Sequence, residues 1–441
     1  MARIQATLTP DELPKEWYNI VPDLNKLGGL PPPKDPEEGP SRLKLLPKIL
    51  TKGCLELEVS NERWIPIPED VRESYLRSGR PRPLFEAKGL ERKLELKKVR
   101  LFYKAEFYSP TGSHKVNTAI PQCYYAKKEG YEAVVTETGA GQWGSALAYA
   151  AALQGDLDCI VYWVGAAYDL KPERLSLMHG FGAKVFRSPS QETETGKKLF
   201  KENNNHKGSL GIAISEAIED VLNHEGERIY CLGSVLNHVL THQTIIGLET
   251  KEQLKQLDVE PTIMTGCLGG GSNFGGLALP FVKEVLDGKA EIRFIAGQSA
   301  GSPNLDGEYK YDHADYAGFT PLLKMCTLGH KFEGVPIMAE GLRYHGAAPI
   351  MSLLRNNKLL ESYVYPTDEE LILEAANLFM RTEGFQIAPE SAYGLRVGID
   401  EALRAKREGR EENIVVNLSG HGHYDTEFYG RVANCNSYTV V

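Results

Sequence analysis

The chain has 441 residues, with 50 Lys and Arg against 59 Asp and Glu, a net charge of −9. That balance excludes a generally basic surface built to hold nucleic acid and points to a small molecule or another protein as partner. A hydrophobic content of 42% is enough for a large core, which excludes wholesale disorder, and at roughly 150 residues per domain the length suits two or three domains.

Residues 1–12 contain no apolar run of the kind that opens a secretory leader. Residues 1 to about 80 are rich in proline and charge, and Pro31, Pro32, Pro33 and Pro36 interrupt regular structure early. This stretch reads as an arm that packs on a core or a partner. No repeat at solenoid or propeller spacing follows it.

From about residue 100, short β-branched or apolar runs alternate with amphipathic stretches. Residues 133–136 lead through a Gly-rich turn into a helix-like run at 145–153, and 159–164 lead to 172–178. Residues 262–265 lead through a second Gly-rich turn to 277–286, followed by 293–296, and near the end 414–418 lead into Ser419-Gly420-His421-Gly422. Strand and helix in alternation predict an α/β fold with a largely parallel sheet, whose ligands bind beyond the carboxyl ends of the strands. The longest strongly apolar stretch, around 274–282, is far short of the roughly 20 residues that a spanning helix needs. No membrane partner is expected.

The seven cysteines, Cys54, Cys123, Cys159, Cys231, Cys267, Cys326 and Cys435, are scattered and odd in number and form no Cys-x-x-Cys. They read as reduced thiols of a cytosolic protein rather than as a disulfide framework or a zinc site.

Three turns and one lysine carry the chemistry. His114 and Lys115 follow the Ser/Thr/Gly turn 109–113 and precede a helix-like run at 117–127. The positive end of a helix dipole favours the neutral amine, so Lys115 is a Schiff-base candidate. Gly269-Gly270-Gly271-Ser272-Asn273 lies between a predicted strand and helix. Its glycines let backbone N–H groups approach an anion, and a phosphate fits there. No Gly-Lys-Ser/Thr follows, so the turn is not a Walker loop.

The run Glu137-Thr138-Gly139-Ala140-Gly141-Gln142-Trp143-Gly144 formally matches the dinucleotide fingerprint G-x-G-x-x-G. The next strand, however, runs into Gly165-Ala166-Ala167 where such a site requires an acid for the ribose. The other reading gives Thr138 to Gln142 the task of donating to a substrate carboxylate, with Glu137 beside it for proton transfer. His238 and His242, four apart, and His421 with His423 resemble metal pairs but lack further ligands in the sequence, and no zinc site is expected.

Taken in order, His-Lys-x-Asn, Glu-Thr-Gly-Ala-Gly-Gln, Gly-Gly-Gly-Ser-Asn and Ser-Gly-x-Gly resemble the tryptophan synthase β subunit, a fold-type II pyridoxal-phosphate enzyme, over roughly residues 80–425. The run Arg80-Pro81-Arg82-Pro83-Leu84 and the stretch 175–185 add to the likeness. The resemblance implies two α/β domains with largely parallel sheets and the cofactor between them: 1–78 and 114–242 forming the N-terminal unit, 79–113 and 243–441 the phosphate-binding C-terminal one. It implies that Lys115 holds pyridoxal 5'-phosphate as a Schiff base. Gly269, Gly270, Gly271, Ser272 and Asn273 would hold its phosphate, helped by His114, Asn117 would also bind the cofactor, Glu390 would lie beside its ring, and Ser419 would hydrogen-bond its pyridine nitrogen. Thr138, Gly139, Ala140, Gly141 and Gln142 would hold the amino acid carboxylate, and Glu137 would be the general acid and base.

The implied activity is a lyase-class β-replacement joining indole to L-serine in tryptophan biosynthesis. It brings a cytoplasmic homodimer, a contact with a tryptophan synthase alpha chain that the divergent arm abolishes, weakens or reshapes, and a monovalent cation on backbone carbonyls. Three positions depart from the first type of β subunit: Arg343 stands where that type carries Asp, and His421 and His423 where it carries Arg and Asp. With the long arm they resemble the second-type, β-like subfamily. Arg343 also opens O-phosphoserine as a donor, since a guanidinium suits a phosphate where Asp suits a hydroxyl; its alternative role is a gate or an ion pair. The rival readings are a serine/threonine deaminase or sulfhydrylase of the same fold type, against which Glu137 argues, and a catalytically idle scaffold, against which intact Lys115, Glu137, Ser272 and Ser419 argue.

Overall fold

The computed structural model describes residues 5–431; Cys435 lies outside them. Two sheets organise the chain. The smaller is wholly parallel, in the order Lys184–Ser188, Asp158–Val164, Ala133–Thr138 and Arg228–Tyr230. The larger runs Gln5–Ala6, Leu84–Glu86, Val99–Ala105, Glu412–Leu418, Ile263–Cys267, Arg293–Ser299 and Leu360–Tyr365; its first three strands pair antiparallel and the rest parallel. Helices cover both faces, so the inner strands read as continuous apolar runs: Cys159 to Val164 are all buried, as are Ile414 to Leu418. The expected α/β fold with largely parallel sheets is thus present.

Each expected strand and helix of the alternating region forms, usually longer than the periodicity marks. Helix Ser272–Leu286 begins five residues before the expected run, because Gly271, at φ 113°, allows the backbone to enter the helix directly from the phosphate turn. The sequence reading passes over the short helix Gly165–Leu170, whose Gly-Ala-Ala opening carries no periodic signal.

The arm is more structured than its prolines suggest. Strands Glu16–Tyr18 and Trp64–Pro66 pair antiparallel, helices Lys52–Glu58 and Glu69–Arg77 follow the proline-rich stretch, and Trp17, Tyr18, Ile20 and Leu24 are buried in the main core. Trp17 packs on the ring of His242 at 4.7 Å, and the Tyr18 N–H donates to Thr244 Oγ1 at 3.0 Å. The arm therefore packs on this chain's own core. None of the described helices is long and apolar enough to cross a membrane.

Candidate active site

The carboxyl ends of both sheets face one cleft. From the smaller sheet, Ala133–Thr138 delivers Glu137 and Thr138, and Arg228–Tyr230 leads into Gly233, Ser234 and Val235. From the larger, Ile263–Cys267 delivers Cys267 and the glycine turn, and Glu412–Leu418 delivers Ser419. Lys115 sits at the N-terminus of helix Val116–Lys128, as its sequence position predicts.

Backbone bonds stitch the lysine segment to the last turn. The His114 N–H donates to the Ser419 carbonyl at 2.8 Å and the His421 N–H to the Gly112 carbonyl at 2.9 Å. Lys115 Nζ donates to the Gly233 carbonyl at 3.4 Å. Burial lowers the pKa of Lys115, against the pull of Glu137, Cys267 and Glu390, so the neutral amine is favoured. His114 is pushed well below the usual imidazole range, first by burial and then by Lys115, so it is neutral, and its Nε2 lies 3.2 Å from Ser272 Oγ.

Glu137 is buried at the opposite wall. Burial drives its carboxyl up to about 7, although the Tyr230 hydroxyl donates to Oε2 at 2.5 Å and holds it lower than burial alone would. An acid poised there can give and take a proton near neutral pH. Glu390 accepts the Gly341 N–H at 2.9 Å and the Gln142 amide at 3.3 Å.

The turn Gly269 to Asn273 forms an open cradle at the N-terminus of a 15-residue helix. Its backbone N–H groups, the Ser272 hydroxyl and Ser234 beside it, which accepts the Ser272 N–H at 3.4 Å, form a donor set suited to a phosphate. With a lysine of lowered pKa across the cleft and Ser419 and Glu390 on its walls, the residues fit pyridoxal phosphate. Val235, next to Ser234, has φ 78°, and the Leu236 N–H closes on the Ser234 carbonyl at 3.0 Å. This is the strained form of the γ-turn, rare for a β-branched residue and found where a site fixes its backbone.

Of the expected residues, Lys115, His114, Glu137, Thr138, Gly139, Ala140, Gln142, Gly269 to Asn273, Glu390 and Ser419 all line the cleft. Three do not. Gly141 lies behind the wall as the N-cap of helix Gln142–Gln154, at φ 90°. Asn117 lies beneath the lysine, donating to Glu106 at 2.9 Å and to Gln243 at 3.0 Å and accepting from Arg80 Nε at 2.9 Å. Arg80 also pairs with Glu106 and Glu249 in a buried network, so the expected Arg-Pro-Arg-Pro run supports the lysine helix from below.

Arg343 lines a smaller neighbouring cavity that shares Gly139, Leu210, Glu340 and Tyr344 with the cleft. Its guanidinium is paired with Glu340 at 2.6 Å and donates to the Gly334 carbonyl at 2.6 Å. The sequence reading missed Tyr230, Gly233, Ser234 and Val235. Their signal, an apolar run ending in Gly-Ser, matches that of the other strand-end turns but follows a strand of only three residues.

The paired histidines have structural partners. His238 Nδ1 meets Glu58 Oε2 at 2.8 Å, His242 Nδ1 meets Thr118 Oγ1 at 3.0 Å, and the rings of His421 and His423 stack at 4.5 Å. Six of the cysteines are free and buried.

Residues 76–420 match the family described as pyridoxal-phosphate dependent enzyme. The chain is 52% identical over 428 residues to a "Tryptophan synthase beta chain 2" from Thermococcus kodakarensis, covering 97% of this chain and 95% of the relative. It is 51% identical over 424 residues to one of the same name from Methanothermobacter thermautotrophicus, covering 96% and 97%. This chain belongs to the tryptophan synthase beta chain family. Among solved structures, a fungal L-serine ammonia-lyase from Rhizomucor miehei superposes with a TM-score of 0.59 at 17% identity, covering 81% of this chain and 98% of that one. An O-acetyl serine sulfhydrylase from Entamoeba histolytica gives 0.57 at 18%, covering 85% and 93%. At that identity the likeness establishes the fold, that of the fold-type II pyridoxal-phosphate enzymes.

Proposed function

We propose that this tryptophan synthase beta chain joins indole to the β-carbon of L-serine. The observation that carries the reading beyond the family is an apolar cavity that shares Ile214, Leu232, Val235 and Tyr344 with the cleft and has Tyr230 on its wall. Its apolar lining beside the acid suits an indole ring. Bound at Lys115, pyridoxal phosphate supplies the electron sink that makes the α-proton removable and lets the β-substituent leave.

The chain's own groups do the rest. Backbone N–H groups of Gly139 and Ala140, with the Gln142 amide, hold the donor's carboxylate. Lys115 Nζ, once the donor's own amine has taken its place, is the base for the α-proton, and burial lowers its pKa. Glu137 gives a proton to the departing serine hydroxyl, which leaves as water, and later takes the proton from the indole carbon that forms the new bond. Ser272 and the cradle anchor the phosphate, with His114 orienting the Ser272 hydroxyl. Ser419, uncharged, would hydrogen-bond the pyridine nitrogen of a bound cofactor and favour its unprotonated form, and Glu390 orients Gln142 and the Gly341 loop.

A second donor, O-phosphoserine, is favoured by the cavity that joins Arg343 to the cleft, although a phosphate reaches that guanidinium only by displacing Glu340. We also infer the two units given above, 1–78 with 114–242 and 79–113 with 243–441; strand Gln5–Ala6 crosses that division to join the larger sheet. A homodimer in the cytoplasm, a reshaped contact with an alpha chain and a monovalent cation on backbone carbonyls complete the proposal.

The test is product analysis of purified protein loaded with pyridoxal phosphate. Serine plus indole should give tryptophan, and serine alone little pyruvate. Pyruvate as the main product in both tubes would mean a deaminase.

A further inference from the structure

The mechanism above leaves one partner of Glu137 without a task. Tyr230 is 4% exposed and closes the strand that pairs in parallel with Ala133–Thr138, with Val135 opposite Tyr230. Glu137 lies two residues beyond Val135 on the same face, so the phenol extends along that face to the carboxyl.

Both side-chain donors that reach the carboxyl arrive at Oε2: Tyr230 at 2.5 Å and, weakly, Thr136 Oγ1 at 3.4 Å. Thr136 is already committed, donating to the Cys231 carbonyl at 2.6 Å and accepting from Trp143 Nε1 at 2.6 Å. The backbone N–H of Glu137 itself also reaches the carboxyl, so Tyr230 is the strong side-chain donor, and it is held at Oε2, with no side-chain donor at Oε1 among the described residues. Lys115 faces the carboxyl across the cleft, and Tyr344, Asp315 and Cys231 are the other titratable groups around the pair.

We propose that Tyr230 is a positioning residue for tryptophan formation: its hydroxyl pins Glu137 Oε2 and presents Oε1 as the oxygen that exchanges protons with the leaving group and with indole. The phenol itself does not ionise, because burial and then Glu137 hold it well above its ordinary range. A fixed donor to one oxygen stabilises the carboxylate, so removing it makes the carboxyl harder to ionise. The inference rests on the acid–base role proposed for Glu137.

The test uses the holoenzyme and Tyr230→Phe. Two quantities are followed against pH: kcat/KM for tryptophan formation, and the carboxyl stretch of Glu137 in infrared difference spectra, with Glu137→Gln assigning the band. Both midpoints should move up by about one pH unit, kcat should fall about tenfold at pH 7, and KM for serine should change less than twofold. A site-specific 3-fluorotyrosine at 230, a stronger donor of nearly the same shape, should move the carboxyl midpoint down. An unmoved midpoint in both proteins, or a loss of activity equal at every pH, overturns the proposal. If Glu137→Gln is as active as the parent, it is the acid–base reading that fails, whatever the Tyr230 midpoint does.

Discussion

The hydroxyl of Ser391 lies 2.8 Å from that of Ser419 and also accepts the Gly420 N–H at 2.9 Å. Ser391 belongs to the first turn of helix Pro389–Glu408, two residues from the proline at its start, so the group proposed to face the pyridine nitrogen is aimed by a rigid element. Removing that support should disturb orientation more than binding. Ser391→Ala is expected to keep the cofactor, shift its visible absorption maximum and lower kcat about tenfold. Cofactor titration and steady-state kinetics read the two effects separately.

Glu137→Gln should slow tryptophan formation about 10²- to 10⁴-fold. It should also stabilise the protein, with a definite sign against pH. The folded carboxyl titrates at about 7 against a usual 4.5, so its contribution to stability is intact below about 4.5 and is lost as pH rises to 7. Gln has no such loss. The gap in unfolding free energy between variant and parent should open over that window and level off at up to about 3 kcal/mol, measured by denaturant melts at pH 5, 6, 7 and 8.

At Gly271 the phosphate cradle and the helix share one residue. A methyl group there would meet Met351 Cγ at 2.8 Å in a conformation, φ 113°, that other residues avoid. Gly271→Ala should cost about 1–3 kcal/mol and raise the concentration of pyridoxal phosphate needed for half loading. Calorimetry of the loaded and unloaded protein gives both numbers.

Arg343→Asp removes the partner of Glu340 and restores the residue type of the first kind of β subunit. The ratio of kcat/KM for O-phosphoserine to that for L-serine should drop at least tenfold, as expected for loss of a charged contact to phosphate. An unchanged ratio would leave Arg343 as an ion pair alone. Competition of the two donors in one reaction is the direct measurement.

What the sequence disclosed follows from how local the signal is. The glycine turns, Lys115 and Glu137 each sit where a strand meets a helix, and that junction is written in a dozen contiguous residues. Gly141 and Asn117 were read by adjacency to such motifs, yet a helix N-cap and a side chain under the first helical turn point away from the cleft. Arg343 needed the position of Glu340, three residues back on a 3-10 turn, which periodicity does not report. Tyr230 was invisible for a different reason. Its meaning is a contact across 93 residues, and nothing local separates it from a core tyrosine. The arm hid its order because its core anchors, Trp17 and Tyr18, come before the prolines that dominate the stretch.

Strand Glu412–Leu418 lies between Val99–Ala105 and Ile263–Cys267 in the larger sheet. During synthesis two neighbours of the same sheet thus wait, one of them for some three hundred residues, for the segment that joins them, and Ser419 arrives with it. The smaller sheet, by contrast, is complete by Tyr230 and can form on the ribosome. Glu137 and Tyr230 are thus placed by a sheet whose last strand precedes Ser419 by nearly two hundred residues. Completing the cleft therefore requires a long-range strand pairing, whose closure entropy exceeds that of the pairings within the smaller sheet.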